Sequence, residues 1–397
     1  MKSKTTLLWL CVLTPILFLS AQEIKPTPFG KGILNIVGKD STWSMKLATR
    51  IQLLGSFNWQ EGQALESSFL VRRARLKLDG FVVTPKLEYK IELGLSNRDM
   101  SGTSVFTSNS PRYIMDAVIK WNFYKNFVLW FGQTKLPGNR ERVVSSGDLQ
   151  FVDRSILNAK FNIDRDIGFQ LRNTSHIGKT MILREIFAFS QGEGRNVTNG
   201  NLGGYQYTCR LEFLPFGSFS KKGDYVESDL VRETTPKFSL GATYDFNNNA
   251  VKTRSNLGSY MEIDTGFYET DISTTFVDAM FKYKGISFMG EYAYRDAKDP
   301  IAKNSDGTLT GDIVEVGNSI NTQIGYLLKS NFEIAGRYSK YNAKTDITGR
   351  EDFSQYTLGF SRYFVGHKLK VQTDFNYLTQ VSTTDNFLWR FQVDVHF

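Results

Sequence analysis

The sequence predicts an all-β fold, a transmembrane antiparallel β-barrel of about 16 strands, and three observations support this. Apolar and polar residues alternate along most of the chain, which is typical of strands that have one apolar and one polar face. The connections between these runs are short at one end of the predicted sheet and long at the other. The 31 Phe, 18 Tyr and 6 Trp are many, and many of them stand near strand ends.

The overall composition disfavours several other classes of protein. A mean hydropathy of -0.29 is too polar for a helical membrane protein, whose spans need about 20 consecutive apolar residues each. Two cysteines cannot build a disulfide scaffold, and 9 prolines in 397 residues disfavour disorder. The net charge of +8 comes without a concentrated basic helix or a known nucleic-acid motif, so no nucleic-acid partner is expected.

The N-terminus has the features of a cleaved secretion signal. Lys2 and Lys4 precede an apolar core at 7–19, and small residues suitable for cleavage follow at 20–22. A membrane-anchor helix is the alternative, although the apolar stretch is short for a span. We therefore predict a signal peptide at 1–21, a periplasmic lead-in at 22–41 and an outer-membrane barrel at 42–397.

Sixteen runs show the two-residue period of half-exposed strands. In 86–96, for example, apolar residues at 87, 89, 91, 93 and 95 alternate with mostly charged ones. No amphipathic helix of ordinary length competes with these runs. They lie near 43–59, 69–83, 86–96, 113–123, 127–135, 165–172, 180–190, 204–214, 236–246, 273–283, 286–296, 318–328, 331–341, 354–364, 367–377 and 387–397.

The lengths of the connections alternate. Links after even-numbered runs are mostly tight, and those after odd-numbered runs are mostly long and polar. This favours a barrel with short periplasmic turns and long extracellular loops, since a soluble β protein would not need such alternation. The stretch 215–235 breaks the parity, as an unusually long link at the inner, short-turn end. The long links are 97–112, 136–164, 191–203, 247–272, 297–317 and 342–353.

Aromatic residues predict two girdles, one at each membrane interface. The last strand, 389–397, alternates perfectly and resembles the C-terminal signal that the barrel assembly machinery of the outer membrane recognises. Its outward residues Phe391, Val393, Val395 and Phe397 would carry that signal. The girdle candidates are Phe57, Trp59, Tyr292, Tyr294, Phe375, Tyr377 and Trp389 at the outer interface, and Trp121, Phe123, Phe127, Tyr283, Phe364 and Phe397 at the inner one.

A barrel of this size is wide enough for an aqueous channel, so its inward face should be polar. About 16 inward bases face about 12 inward acids in the runs of clear phase. Arg73, Arg75 and Lys77 form the densest basic stripe, with Lys90 on the neighbouring strand, and side chains two apart stand about 7 Å from each other on one face. An anion could pass along this stripe. Equally, Asp79, Glu88 and Glu92 could pair with these bases in a salt-bridged wall, while Arg72 is predicted to face outward.

The sequence contains little that supports a catalytic or metal-binding site. The three histidines, His176, His367 and His396, fall near the inner end, where none could serve a Ser-His site at the outer rim. The loop around Asp306 and Asp312 matches no EF-hand spacing. No enzymatic activity, metal or cofactor is expected.

Five segments resemble the phosphate-selective porin O and P family, and the RRAR of the second run is the most distinctive match. This resemblance implies a 16-stranded, homotrimeric porin whose third outer loop folds into the barrel and narrows it; here that loop is 136–164. It also implies selection of phosphate-like anions by cationic side chains. The segments are 30–32 (GKG), 49–52 (TRIQ), 68–80 (SFLVRRARLKLDG), 132–137 (GQTKLP) and 165–168 (RDIG).

The sequence therefore predicts an outer-membrane porin of a Gram-negative-type bacterium that passes small hydrophilic solutes by diffusion, with a preference for anions such as phosphate. A plugged barrel acting as a scaffold, adhesin or partner-binding protein is the alternative. Outer-membrane lipid, lipopolysaccharide and the barrel assembly machinery are the expected partners. The candidate channel-lining and anion-binding residues are Arg73, Arg75, Lys77, Lys90, Lys135, Arg140 and Arg142.

Overall fold

Sixteen antiparallel strands form a closed barrel in the computed structural model, which describes residues 27–100, 102–198, 200–380 and 385–397. Each strand pairs with the next along the chain, and the last pairs with the first. The predicted signal peptide lies outside the described residues. The barrel strands β1 to β16 are, in order, Ser44–Gln60, Glu66–Val82, Thr84–Gly94, Ile114–Tyr124, Phe127–Lys135, Arg165–Ile177, Met181–Ser190, Gln206–Leu214, Lys237–Ala250, Thr270–Tyr283, Ile286–Ala297, Gly317–Leu327, Phe332–Ala343, Phe353–Tyr363, Leu369–Gln380 and Asn386–His396.

The predicted strand count and the alternation of short and long connections are confirmed. Each of the sixteen runs found in the sequence overlaps one barrel strand. Closure leaves no unpaired sheet edge, which a strand-built membrane protein requires because lipid cannot hydrogen-bond to a free backbone. We call the end of the barrel with the short turns the inner end and the end with the long loops the outer end.

Smaller elements decorate this barrel. Among the described residues, no helix is long and apolar enough to cross a membrane. The short helices are Asn97–Met100, Arg140–Val143, Ile156–Phe161 and Thr345–Thr348, with 3-10 turns at Val105–Thr107 and Ser220–Tyr225. The additional strands are Leu34–Val37 before the barrel and the outer hairpins Lys252–Arg254 with Leu257–Tyr260, Glu262–Ile263 with Gly266–Phe267, and Ile301–Lys303 with Leu309–Ile313.

The two faces of the wall differ as the two-residue period requires. On β1, Ile51 and Leu53 are exposed on the outside, whereas Gln52 is fully buried inside. Aromatic rings meet at both ends of the outer surface: Phe57 stacks on Trp389 at 4.7 Å near the outer end, and Trp121 lies 5.7 Å from Phe123 near the inner end. This arrangement places amphipathic rings at two levels, as membrane interfaces favour.

The seam between β16 and β1 is reinforced at the inner end. Arg50 of β1 forms a salt bridge with Asp394 of β16 at 2.7 Å, and the Phe397 backbone N–H donates to Thr49 O at 2.9 Å. The lead-in strand Leu34–Val37 pairs with the first residues of β1. Phe29 of the lead-in contacts the Phe397 ring at 5.7 Å. The lead-in thus covers the inner end of the closing seam.

Candidate functional site: a cationic path through the lumen

Loop 136–164 crosses the barrel interior and binds the wall on the side of β9 to β16. Its side chains and backbone hydrogen-bond to inward carboxylates: Arg140 Nε donates to Asp278 at 2.8 Å, and the Val152 N–H donates to Asp374 at 3.1 Å. Phe161 and its neighbours in the short helix pack into an apolar cluster against Phe276 and Tyr341. The loop is therefore held by polar contacts at its tip and by apolar packing at its return.

Two inward glycines let the loop tip approach the wall closely. A Cβ on Gly325 would collide with the Gln150 amide, and a Cβ on Gly359 would lie 2.8 Å from the Phe151 ring. Because the tip lies this close to the wall, Gln150 Nε2 donates to the Glu333 carboxylate at 2.7 Å. A side chain at either glycine would push the tip toward the open side of the lumen.

The stretch 215–235, which breaks the parity of the connections, enters the lumen from the inner end. Lys282 of β10 donates to three of its backbone carbonyls, those of Gly223 at 2.7 Å, Val226 at 2.6 Å and Ser228 at 2.8 Å. It also meets the tip of loop 136–164, where the Gln150 N–H donates to Glu227 at 2.7 Å. Burial, and then repulsion from Glu141, raise the pKa of Glu227 to about 7. Two inserted segments thus fill one side of the lumen together.

The inserted segments cover the inward acids on one side of the barrel. A carboxylate buried in this way needs hydrogen-bond partners, and the wall and the inserted segments supply them. These acids are therefore removed from the aqueous part of the lumen, and the inward charge that faces water is no longer balanced. The covered carboxylates are Asp278, Glu291, Glu333, Asp374 and Asp394, all at most 4% exposed.

The other side of the lumen, along β2 to β8, holds one cavity of about 880 Å³. It reaches from outer-loop residues such as Arg112 and Arg195 to inner-end residues such as Asn126 and Thr174. Of the described residues, six carboxylates line it. The lining cations number 17: Arg72, Arg73, Arg75, Lys90, Arg98, Arg112, Lys120, Lys135, Arg142, Arg154, Arg165, Arg172, Arg184, Arg195, Arg210, Lys222 and Lys252.

The middle of the cavity contains a network of ion pairs. Arg75 binds Glu92 at 2.9 Å and Asp99 at 2.7 Å. Lys90 binds the same Glu92 at 2.8 Å, and Arg165 reaches Asp116 at 3.0 Å. Charges in this section largely cancel in pairs, as expected for the salt-bridged wall that the sequence left open as an alternative.

Arg72 lies inside the barrel, and its predicted outward orientation is wrong. The pairing of β1 with β2 shifts between Gln52, which faces Arg73, and Leu53, which faces Val71. Arg72 is the extra residue of this β-bulge, and its guanidinium binds Asp153 of the loop at 2.9 Å. Burial raises the pKa of Asp153, but Arg72 and Arg73 outweigh this effect and hold that pKa below its usual range.

Comparison with known proteins shows the family to which the chain belongs. Residues 51–386 match the sequence model of the family described as "Phosphate-selective porin O and P". The chain belongs to that family. An uncharacterized protein of Aquifex aeolicus (strain VF5) is 25% identical to this porin over 358 residues, which cover 82% of this chain and 79% of the relative. The protein is accordingly an outer-membrane channel.

Solved porin structures share the fold at low sequence identity. An anion-selective porin from Comamonas acidovorans aligns with a TM-score of 0.57 and 10% identity, over 89% of this chain and all of that one. The outer membrane channel DcaP of Acinetobacter baumannii aligns at 0.53 and 13%, over 91% and 99%. In vitro folded OmpT of Vibrio cholerae, in its trimer form, aligns at 0.53 and 13%, over 90% and 100%.

The residues predicted to line the channel of this porin occupy different environments. Arg73, Arg75, Lys90, Lys135 and Arg142 line the cavity. Of these, Lys135 donates to loop carbonyls, those of Arg142 at 2.8 Å and Val144 at 3.0 Å. Arg142 pairs with Asp164 through Nε at 2.7 Å.

Two of the predicted residues do not line the cavity. Arg140 is fully buried among Asp278, Glu212 and Ser239, where it holds the loop to the wall. Lys77 pairs with Asp79 at 2.8 Å. These two cations lie outside the set that an ion in the cavity would contact.

Several cavity residues were absent from the predicted set. Lys120 and Arg172 are inward residues in runs whose alternation is visible in the sequence, so the period-two phase could have identified them. Arg165 stands in the RDIG segment. No local pattern marks Arg195, which reaches the cavity from an outer loop.

We expect Arg72→Gln to lower anion selectivity about as much as Arg73→Gln, because both guanidinium groups line the cavity next to the loop. Arg362→Gln is the matched control, since Arg362 is exposed beside Phe364 near the inner end and does not line the cavity. The reversal potential in a salt gradient measures the effect. If Arg72→Gln behaves like the control while Arg73→Gln does not, the bulge does not turn Arg72 inward.

Proposed function

We propose that this porin passes small hydrophilic solutes by diffusion and prefers anions of the phosphate type. The observation that carries the proposal is the composition of the cavity, where 17 Lys and Arg stand against six Asp and Glu. Fixed charges along a pore wall set the local potential and so select the sign of the ion that enters. Phosphate fits this wall because guanidinium groups donate to its oxygens in pairs.

The separation of charge across the lumen supports an anion preference more strongly than the sequence count did. In the sequence, inward bases exceed inward acids only slightly. The inserted segments cover inward acids of β10 to β16, and bases dominate the side left open. An anion in the cavity therefore faces a net positive wall, although paired carboxylates in the middle section reduce the field there.

The assembly partners belong to the same proposal. A homotrimer in outer-membrane lipid and lipopolysaccharide would cover the apolar outer face, on which Phe69 and Trp121 are exposed. The alternating last strand, with Phe391 and Phe397 exposed outward, suits recognition by the barrel assembly machinery. The family and the trimer form of the OmpT neighbour support these assignments.

Reconstitution in planar bilayers tests the channel proposal. We expect open pores whose reversal potential in a potassium chloride gradient has the sign of anion selectivity. The selectivity should weaken at high salt, because the screening length falls to about 3 Å at 1 M. A cation-selective potential would overturn the anion preference, and an inserted protein without conductance would favour a plugged scaffold instead.

A further inference from the structure

The inner end of the cavity holds two cations on either side of one aromatic ring. Trp130 of β5 lines the lumen, with the Lys120 ammonium 4.4 Å and the Arg172 guanidinium 3.9 Å from its ring centroid. Lys120 comes from β4, directly across from Trp130, and Arg172 from β6, across from Val128. The neighbouring strands on both sides of β5 thus place one cation each against the ring.

Among the described residues, these two cations form no salt bridge, unlike those in the middle of the cavity, although Glu88 of β3 lies directly across from Lys120. Among the described residues, no carboxylate lies within 4.0 Å of either nitrogen group, whereas Arg75, Lys90 and Arg165 all pair with acids. Arg172 is held instead by the neutral Gln170 carbonyl at 2.7 Å. An aromatic ring attracts a cation through its quadrupole without neutralising it, so the pair remains open to an anion.

The wall beside this pair contains apolar side chains, which are unusual in an aqueous lumen. Val128, Trp130 and Ile186 all line the cavity here, and they come from β5 and β7 on either side of Arg172. Bare phosphate gains nothing from such a surface, because it has no apolar part to remove from water. A wall that combines unpaired cations with apolar side chains suits a solute that has both kinds of group.

We propose that the inner end of the cavity is a binding site for organic anions, with the charged group at Lys120 and Arg172 and an apolar body against Val128 and Ile186. Aryl phosphates and aromatic carboxylates have this chemistry. The inference rests on the proposed anion channel and adds its preferred substrate class. It places binding at the inner end, apart from the ion-paired middle section.

Block of chloride current by phenyl phosphate and by inorganic phosphate, each added to both sides of a planar bilayer, tests the site. We expect phenyl phosphate to block at a concentration about tenfold lower, since burial of part of one ring against an apolar wall suffices for that ratio. The double variant Val128→Thr, Ile186→Thr should remove the difference between the two blockers. Leu257→Thr, at an apolar residue elsewhere in the same cavity, should preserve it.

The charged half of the site has its own test. Lys120→Gln with Arg172→Gln should weaken block by both anions, while anion selectivity persists through the remaining lining cations. Equal block by the two anions in an anion-selective pore would overturn the organic-anion site and leave the channel proposal intact. So would a phenyl phosphate advantage that survives the Val128 and Ile186 changes. A pore without anion selectivity would overturn the anion preference on which this inference rests.

Discussion

Replacing residues 217–234 with a two-residue Asn-Gly turn is expected to raise single-channel conductance several-fold and to weaken anion selectivity. Among the described residues, the link between β8 and β9 is the inner connection that fills lumen space, and a tight turn would leave β8 and β9 paired as they are. Water and ions would then occupy the part of the lumen that this segment fills beside the loop tip.

Selectivity should fall because the deletion uncovers acids. Glu333 is buried under Ser228, which donates to it at 2.7 Å, and Tyr225 donates to the buried Glu212 at 2.9 Å. Exposing such carboxylates to the lumen adds negative potential where none faced water before. Conductance and reversal potential, measured on the same channels, report the two effects separately.

Removing the outer hairpin tip 304–308 is the control for loop shortening. This tip is exposed, apart from the partly buried Asn304, and lies outside the cavity, so its loss should leave both quantities near wild type. A shortened 217–234 variant with unchanged conductance would show that the inserted segment does not limit the ion path.

The strands and their order could be predicted from the sequence because they depend on local patterns. Each run of alternating residues, such as 86–96, contains the information for its own two faces, and link lengths then fix the topology. The sixth and seventh runs, near 165–172 and 180–190, correspond to β6 and β7. Membership of the family rested on short motifs, which are also local.

The parts that could not be predicted depend on contacts between distant residues. A bulge shifts the phase by one residue without a sequence signal of its own, which is why Arg72 faced the wrong side in the prediction. The insertion of 215–235 depends on Lys282, more than 50 residues away. Whether an inward acid meets water or a packed segment follows from such insertions, so counting inward charges could not reveal the cationic side of the lumen.

Arg140→Met is expected to destabilise the folded barrel by about 3–5 kcal/mol, the cost typical of removing one partner from a buried ion pair. Arg140 is fully buried and binds Asp278 at 2.8 Å and Glu212 at 3.2 Å. Met has a similar length but supplies no charge. Asp278 would then keep Arg210 alone as an ion-pair partner, and Glu212 would keep Arg210 and Arg184. Urea unfolding of the refolded protein in lipid measures the loss.

A matched variant separates this anchoring role from a role in conduction. Arg154 stands in the same loop and lines the cavity, and it donates only to backbone carbonyls, those of Glu141 at 2.8 Å and Val144 at 2.9 Å. Arg154→Met should therefore cost less stability and lower anion selectivity more than Arg140→Met. Adding Asp278→Asn to Arg140→Met should recover part of the lost free energy, because it removes one of the two buried carboxylates that have lost Arg140. Equal destabilisation by the two arginine variants, with no recovery in the double variant, would show that the buried pairs do not anchor the loop.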